Sequence, residues 1–235
     1  MIVDTSLVFD NQVFVLNDNP TIKTIDTEVA KITIIDNFYE DIQSVVNQLS
    51  KLSMSLIWEQ DDNNITFLDA RKVYSGNMKG TELTYVRNES LKNLVSTIID
   101  YPSQSLLPSQ DFVVNCFTFT DDFDSFLDEN YYGCHRDNHT VPEYDGCKST
   151  GQIALVIFLN EHYEEGEGLN FYNVSNDVPV VIRTKKSEIK KIHTVQGKQN
   201  RAVLFDSQFP HGQHTPTNQF KNEMRYTQVI FVPTF

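Results

Sequence analysis

The stretch QIALVIFLN, residues 152–160, is apolar at both sets of alternate positions. Ile153, Leu155, Ile157 and Leu159 form one set, and Ala154, Val156 and Phe158 the other. Side chains on a strand point to opposite faces with period two. A strand with one face in water would alternate apolar with polar residues, so this one needs a covering layer on each side.

Outward from it lie seven further short runs that read as strands. They are FVVNCFTF (112–119), NYYGCHRD (130–137), GLNFY (168–172), IKKIHTV (189–195), RAVLFD (201–206), PHGQH (210–214) and MRYTQVIFV (224–232). Turn residues separate them: Asp121–Asp122, Gly146, Gly166, Gly197 and residues 216–218. Eight short strands with few helices between them predict a double-sheet jelly roll, whose second sheet supplies one cover.

The other cover is predicted upstream. In DNFYEDIQSVVNQLSKL (36–52), Ile42, Val45, Val46, Leu49 and Leu52 recur at helical spacing, and Asn37 with Glu40 resembles a capping box. ESLKNLVSTIID (89–100) repeats the helical pattern until Pro102. VFVL (13–16) and KITII (31–35) read as strands, and residues 55–85 give weak signals. The expectation is a mainly β fold with flanking helices. It forms one domain over 1–235, with N-terminal strands and supporting helices in 1–110 and a jelly-roll core in 111–235.

Composition sets limits. Hydrophobic residues make up 40% of the 235 and aromatics 11%, enough for a substantial core. No apolar run approaches the ~20 residues that span a bilayer, so no membrane association is expected. The start, MIVDTSLVFD, has no basic segment ahead of an apolar one, which argues against a secretory signal. Cys116, Cys134 and Cys147 are odd in number and lack C-x-x-C spacing, so they read as reduced thiols of a cytoplasmic protein. A net charge of −13 repels phosphate backbones and argues against a nucleic-acid partner. Lys185, Lys186, Lys190 and Lys191 read as a solvated loop and edge strand.

The chemistry is concentrated in YYGCHRDNH (131–139). If 131–137 is a strand, His135 and Asp137 share a face. Imidazole with carboxylate suits a divalent first-row metal such as Fe(II), and a second histidine would complete a 2-His-1-carboxylate triad. Arg136 stands where an H-E-x-x-H zinc site would need glutamate. Five histidines compete for the remaining position. His139 has helical spacing in a strand-like context, His162 lies in the acidic loop HYEEGEG, and His193 lies beside the lysines. His211 follows RAVLFDSQFP, where a strand ending in a turn would hold a ligand rigidly. His214 is at an odd offset from His211 and would face the other way.

A hairpin of FPHGQH with NEMRYTQVIFV, turning at Asn218, would pair His211 with Arg225 and Phe209 with Thr227. Arg225 beside a metal ligand could grip a carboxylate in a two-pronged fork. Thr227 would share its face. A ligand that chelates the metal at one end and meets arginine at the other should be a short dicarboxylic keto acid.

These pieces in this order resemble the iron(II)- and 2-oxoglutarate-dependent dioxygenases, with the prolyl-hydroxylase-like branch nearest. The likeness covers roughly 111–235. It rests on Y-x-x-H-x-D from Tyr132 to Asp137, LVIFLNEHYEEGEGLNFY, RAVLFDSQFPH, and R-x-T from Arg225 to Thr227. IIDNFY (34–39) before a helix also looks like the opening of such a domain. The resemblance implies a double-stranded β-helix with Fe(II) on His135, Asp137 and His211. It implies 2-oxoglutarate held by Arg225 with Thr227, and O2 as co-substrate. The implied reaction hydroxylates a C–H of a small molecule, amino acid or peptide side chain, with release of succinate and CO2. The family's aromatic falls at Tyr132, whereas strand parity puts Tyr131 on the metal face, and both remain candidates to line the pocket. The family's turn often reads G-G-x-L-x-F, but here Glu167 separates Gly166 from Gly168. The alternative is a jelly roll that binds metal without catalysis, or a cupin-like one that does not use 2-oxoglutarate. Neither needs a cation beside the distal histidine.

Overall fold

A computed structural model of the chain describes residues 13–49, 56–60, 66–75, 85–87, 89–100, 109–117, 131–132, 134–136, 151–174, 184–185, 187, 189–214, 217, 219–222 and 225–234. The first half holds β1 (Thr21–Asp26), β2 (Lys31–Asp36), α1 (Ile42–Leu49), β3 (Leu56–Gln60), β4 (Thr66–Ser75), β5 (Tyr85–Arg87), α2 (Glu89–Ile99) and β6 (Ser109–Phe117). The second holds β7 (Tyr131–Tyr132), β8 (Gly151–Phe158), β9 (Gly168–Val174), β10 (Thr184–Lys185), β11 (Ile189–Gln196) and β12 (Arg201–Asp206). It closes with β13 (His211–His214), α3 (Gln219–Asn222) and β14 (Arg225–Thr234).

Among the described residues the strands form a major sheet in the order β1-β2-β12-β8-β14-β6-β4-β3, with β5 also on β6. A minor sheet runs β11-β9-β13. An isolated bridge between His135 and His211 sets the 134–136 segment along the free side of β13. The fold is the expected mainly β, double-stranded β-helix with helices on its outer face.

The two-faced strand explains the layering. Leu155, Ile157 and Leu159 join Ala202, Leu204, Ile230 and Val232 in a core with Val45 of α1 and Leu91 and Val95 of α2. Ala154, Val156 and Phe158 join Val203, Phe205, Leu169, Phe171 and Val195 in a second core between the sheets. Both covers read from QIALVIFLN are thus present.

Several details differ from the sequence reading. VFVL forms no strand; it contributes a turn and a bridge from Leu16 to Tyr39. The cap of α1 is Asp41, not Asn37. Asp41 Oδ1 accepts from the Ser44 amide at 3.1 Å, whereas Asn37 has a left-handed φ of 58° that turns the chain after β2. Asn200 then fixes that turn: its side chain accepts from the Tyr39 amide and donates to the Tyr39 carbonyl, both at 2.8 Å. Residues 56–60, 66–75 and 85–87 are strands, although their residue pattern signals them only weakly.

The predicted pairing of β13 with β14 is also corrected. β13 pairs with β9 in the minor sheet, with His211 opposite Phe171, while β14 pairs with β6 and β8 in the major sheet. The two strands lie in different layers, so His211 and Arg225 are not cross-strand partners.

Candidate active site

His135 and His211 form the centre of the site. Each amide donates to the other's carbonyl, at 2.8 Å from His135 and 3.0 Å from His211. Directly paired residues project to one face. Their ring centroids lie 4.4 Å apart. That face is the sandwich interior, because His211 is 4% exposed and its ring packs edge-on to Phe205 at 4.6 Å. Cys134, one residue earlier, packs on the opposite face with Tyr172, Val174 and Ile189. Burial pushes its thiol up to about 12, so it is an inert core group.

His211 Nδ1 lies 2.8 Å from the Phe209 carbonyl oxygen. A carbonyl can only accept, so Nδ1 carries the proton and Nε2 of the neutral ring keeps its lone pair for a metal. Two imidazoles facing each other, one with its tautomer fixed in this way, fit a divalent transition metal. Among the described residues no third His, Cys, Asp or Glu joins them. Asp137, the expected carboxylate ligand, lies outside the described residues, as does His139.

The rival His193 is excluded by position. It pairs with Phe171 from the other side, so β9 stands between it and His211. Two strand spacings, ~9.6 Å, separate them with Phe171 in register between, whereas His135 pairs directly with His211. His162 is exposed on a turn, where its carbonyl accepts from Gln219 at 3.0 Å.

Arg225 approaches from the facing sheet. It is 3% exposed and donates to the Gly168 carbonyl at 3.2 Å and to Gln213 Oε1 at 3.4 Å. Its guanidinium carbon lies 5.8 Å from the Phe158 ring centroid and 6.0 Å from that of Phe220. Gln213 is two residues on from His211 along β13 and shares its face, so Arg225 reaches the histidine's strand on that face. Arg225 thus meets β13 at Gln213 from across the sandwich, and not as a hairpin neighbour of His211. Thr227 is 2% exposed and two residues along β14 from Arg225. Tyr131 and Tyr132 pair with Lys185 and Thr184, but their side chains lie outside the described residues.

The wall behind Arg225 is built by the 159–167 turn and α3. Gln219 ties them, accepting from the Glu164 amide at 2.9 Å. Tyr163 packs edge-on to Phe158 and Phe220, at 5.4 and 5.9 Å. The sequence reading missed Glu167, which is 0% exposed behind Gly168. A charged residue between two glycines was the available signal. Gly166 has φ 90°, and a Cβ at Gly168 would overlap the Val195 carbonyl oxygen, so both positions need glycine.

Comparison with known proteins finds one family model that matches just under half of the chain. Residues 123–232 match the model of the 2OG-Fe(II) oxygenase superfamily, which bears out the resemblance read from the sequence. No curated protein matches the chain at a significant level. HygX from Streptomyces hygroscopicus, solved with nickel and 2-oxoglutarate bound, is 10% identical over 86% of this chain and 82% of its own, with a TM-score of 0.50. EvdO2 from Micromonospora carbonacea var. aurantiaca, complexed with 2-oxoglutarate, is 11% identical over 92% and 94%, also at 0.50. A Pseudomonas putida prolyl-4-hydroxylase is 12% identical over 70% of each chain at 0.34, too low to carry an argument about fold.

Proposed function

We propose, from the premise that segment 123–232 belongs to the 2OG-Fe(II) oxygenase superfamily, that this chain is an iron(II)- and 2-oxoglutarate-dependent dioxygenase that hydroxylates a C–H bond. The observation that carries this reading is the placement of three side chains in one interior. His135 and His211 face each other at 4.4 Å, and the buried Arg225 arrives from the opposite sheet beside Gln213. A binding-only jelly roll has no use for that cation.

His135 and His211, with Asp137, would hold the iron. When bound, the iron with 2-oxoglutarate and O2 supplies the oxidising chemistry, releasing succinate and CO2. The chain's own residues orient and exclude. The Phe209 carbonyl keeps the His211 proton on Nδ1 and the lone pair on Nε2. Arg225 offers its fork to the far carboxylate of 2-oxoglutarate, with Thr227 beside it. Phe158 and Phe220 keep water from that end, which strengthens the ionic contact.

The substrate reading is a small molecule, amino acid or peptide side chain in the cytoplasm, with no nucleic acid or membrane partner. The net charge of −13 supports it. Among the described residues no helix is long and apolar enough to cross a membrane. The test is anaerobic titration of the Fe(II)-loaded protein with 2-oxoglutarate, followed by a screen of amino acids, peptides and small metabolites for stimulated succinate release. Failure to bind 2-oxoglutarate and to develop the metal-to-ligand absorption band would overturn the reading.

A further inference from the structure

Glu167 is a buried carboxylate that the oxygenase reading leaves without a task. It is 0% exposed. Oε1 accepts from the Thr217 amide at 3.0 Å and from Thr217 Oγ1 at 2.6 Å. Oε2 is equally buried and, among the described residues, has no hydrogen-bond partner. Its backbone is held on both sides: the Glu167 amide donates to Glu164, and the Glu167 carbonyl accepts from Gly197. The neighbouring Gly168 carbonyl accepts from Arg225. The carboxylate is thus fixed one residue from the group that holds the guanidinium, and the two charges interact.

A buried carboxylate with one oxygen unsatisfied is costly. Arg225, held on the next residue's carbonyl, offsets part of that cost through its charge without pairing directly with the carboxylate. The proposed function brings a second carboxylate, the far end of 2-oxoglutarate, to the same cation. Two carboxylates and one guanidinium in a water-poor pocket leave one negative charge uncompensated. The arrangement has one inexpensive solution, because Glu167 Oε2 is the atom free to take a proton.

We propose that Glu167 is the ionised counter-charge of Arg225 before cosubstrate arrives, and that it takes up one proton when a dicarboxylate seats on Arg225. The inference rests on the reading that Arg225 receives 2-oxoglutarate. The balance is closed. One dianion and one solvent proton enter, Glu167 changes from carboxylate to carboxylic acid, and the summed charge of Glu167, Arg225 and the far carboxylate stays at zero. Desolvation already pushes this carboxyl above the ordinary range, against the two Thr217 hydrogen bonds and Arg225, which pull it down, while Glu164 adds to the rise. Among the described residues the ionisable groups acting on it are Arg225 from β14 and Glu164 and Tyr163 from its own turn. Thr217, and Gln196 from β11, meet that turn with neutral side chains.

The experiment is isothermal titration of metal-loaded protein, without O2, in buffers of different ionisation enthalpy. The expected slope of heat against buffer enthalpy shows proton uptake approaching one per 2-oxoglutarate. The dissociation constant should rise up to ~tenfold per pH unit above the free-state pKa of Glu167. 2-Oxobutanoate keeps the chelating end but has no far carboxylate, so it should bind with no uptake. Glu167→Gln presents a permanently neutral side chain and should bind 2-oxoglutarate without uptake and with a flat pH profile. Tight binding with zero uptake in wild type overturns the inference while leaving the oxygenase reading intact, and it needs no variant to fold. Uptake that persists in Glu167→Gln, or equals that seen with 2-oxobutanoate, also overturns it. No 2-oxoglutarate binding at any pH overturns the oxygenase reading itself, and this inference with it.

Discussion

Arg225→Lys separates charge from geometry. Arginine meets a carboxylate with two parallel N–H donors, whereas lysine presents a point charge. In the protein the guanidinium is already positioned by the Gly168 carbonyl and Gln213 Oε1, between the rings of Phe158 and Phe220. Lysine keeps the attraction and loses the fork. One lost charge-assisted hydrogen bond costs about 1.5–3 kcal/mol, or roughly ten- to 150-fold in 2-oxoglutarate affinity. Fe(II) affinity should stay unchanged, because His135 and His211 lie on segments other than β14. Arg225→Ala should bind 2-oxoglutarate more weakly still. It also removes two hydrogen bonds of about 1 kcal/mol each and two ring contacts of about 0.5 kcal/mol each. The resulting ~3 kcal/mol corresponds to a fall in Tm of about 6–12 °C for a chain of this length. The assay is a pair of anaerobic titrations, Fe(II) and then 2-oxoglutarate, with a thermal melt on each variant. If both variants bind 2-oxoglutarate with the wild-type constant, Arg225 merely joins β14 to β9 and β13, and the reasoning fails.

His211→Ala and Asp137→Ala should each abolish succinate release and metal binding while the far-ultraviolet spectrum stays native; His214→Ala, at odd offset along β13, should retain activity. An essential His214 with a dispensable His211 would refute the assignment. Gly168→Ala forces a Cβ onto the Val195 carbonyl and to 2.9 Å from the Gly197 amide nitrogen, so it should cost about 2 kcal/mol or more in a denaturant melt and weaken 2-oxoglutarate as the Arg225 contact moves. Asp36→Asn breaks the fork from Arg201, 2.6 Å from Nε and 3.0 Å from Nη2. The Arg201 hydrogen bonds hold the Asp36 carboxyl below its ordinary range. A depressed folded pKa contributes stability above the unfolded value and loses it as pH falls through the folded one. Urea melts should therefore show a deficit of about 1 kcal/mol at neutral pH that narrows below about pH 4.

How much could be read from the sequence depended on how much of each element is buried. β8 was legible because both its faces are covered, and α1 and α2 because each buries a single stripe. β1 gave no pattern, since five of its six residues are exposed and nothing selects a face. For the site, parity predicted which residues share a face but not which strand lies opposite. His211 does face the interior, yet its partner on the sheet is Phe171 and not Arg225. The ten residues between β13 and β14 include α3, and that helical turn carries the chain from one sheet to the other. A two-residue hairpin turn would have kept both strands in one ladder. Glu167 was visible only as an oddity between two glycines; its side-chain hydrogen bonds come from Thr217, 50 residues away.

The placement of β8 has a consequence for how the protein opens. Its side chains are shared between the helix-side core and the sandwich core, and both its edges are paired, to β12 and to β14. Neither layer can loosen without exposing one face of this strand. The helices and the histidine-bearing sandwich are therefore bound into one cooperative unit, and the amides of β8 should exchange with solvent deuterium only through global unfolding. Strand β1, paired along one edge and exposed on nearly every residue, should exchange by local fraying. A substitution on the helix side, at Leu155 or Ile157, would then reach the histidines through the stability of the whole unit, with no change in their local geometry.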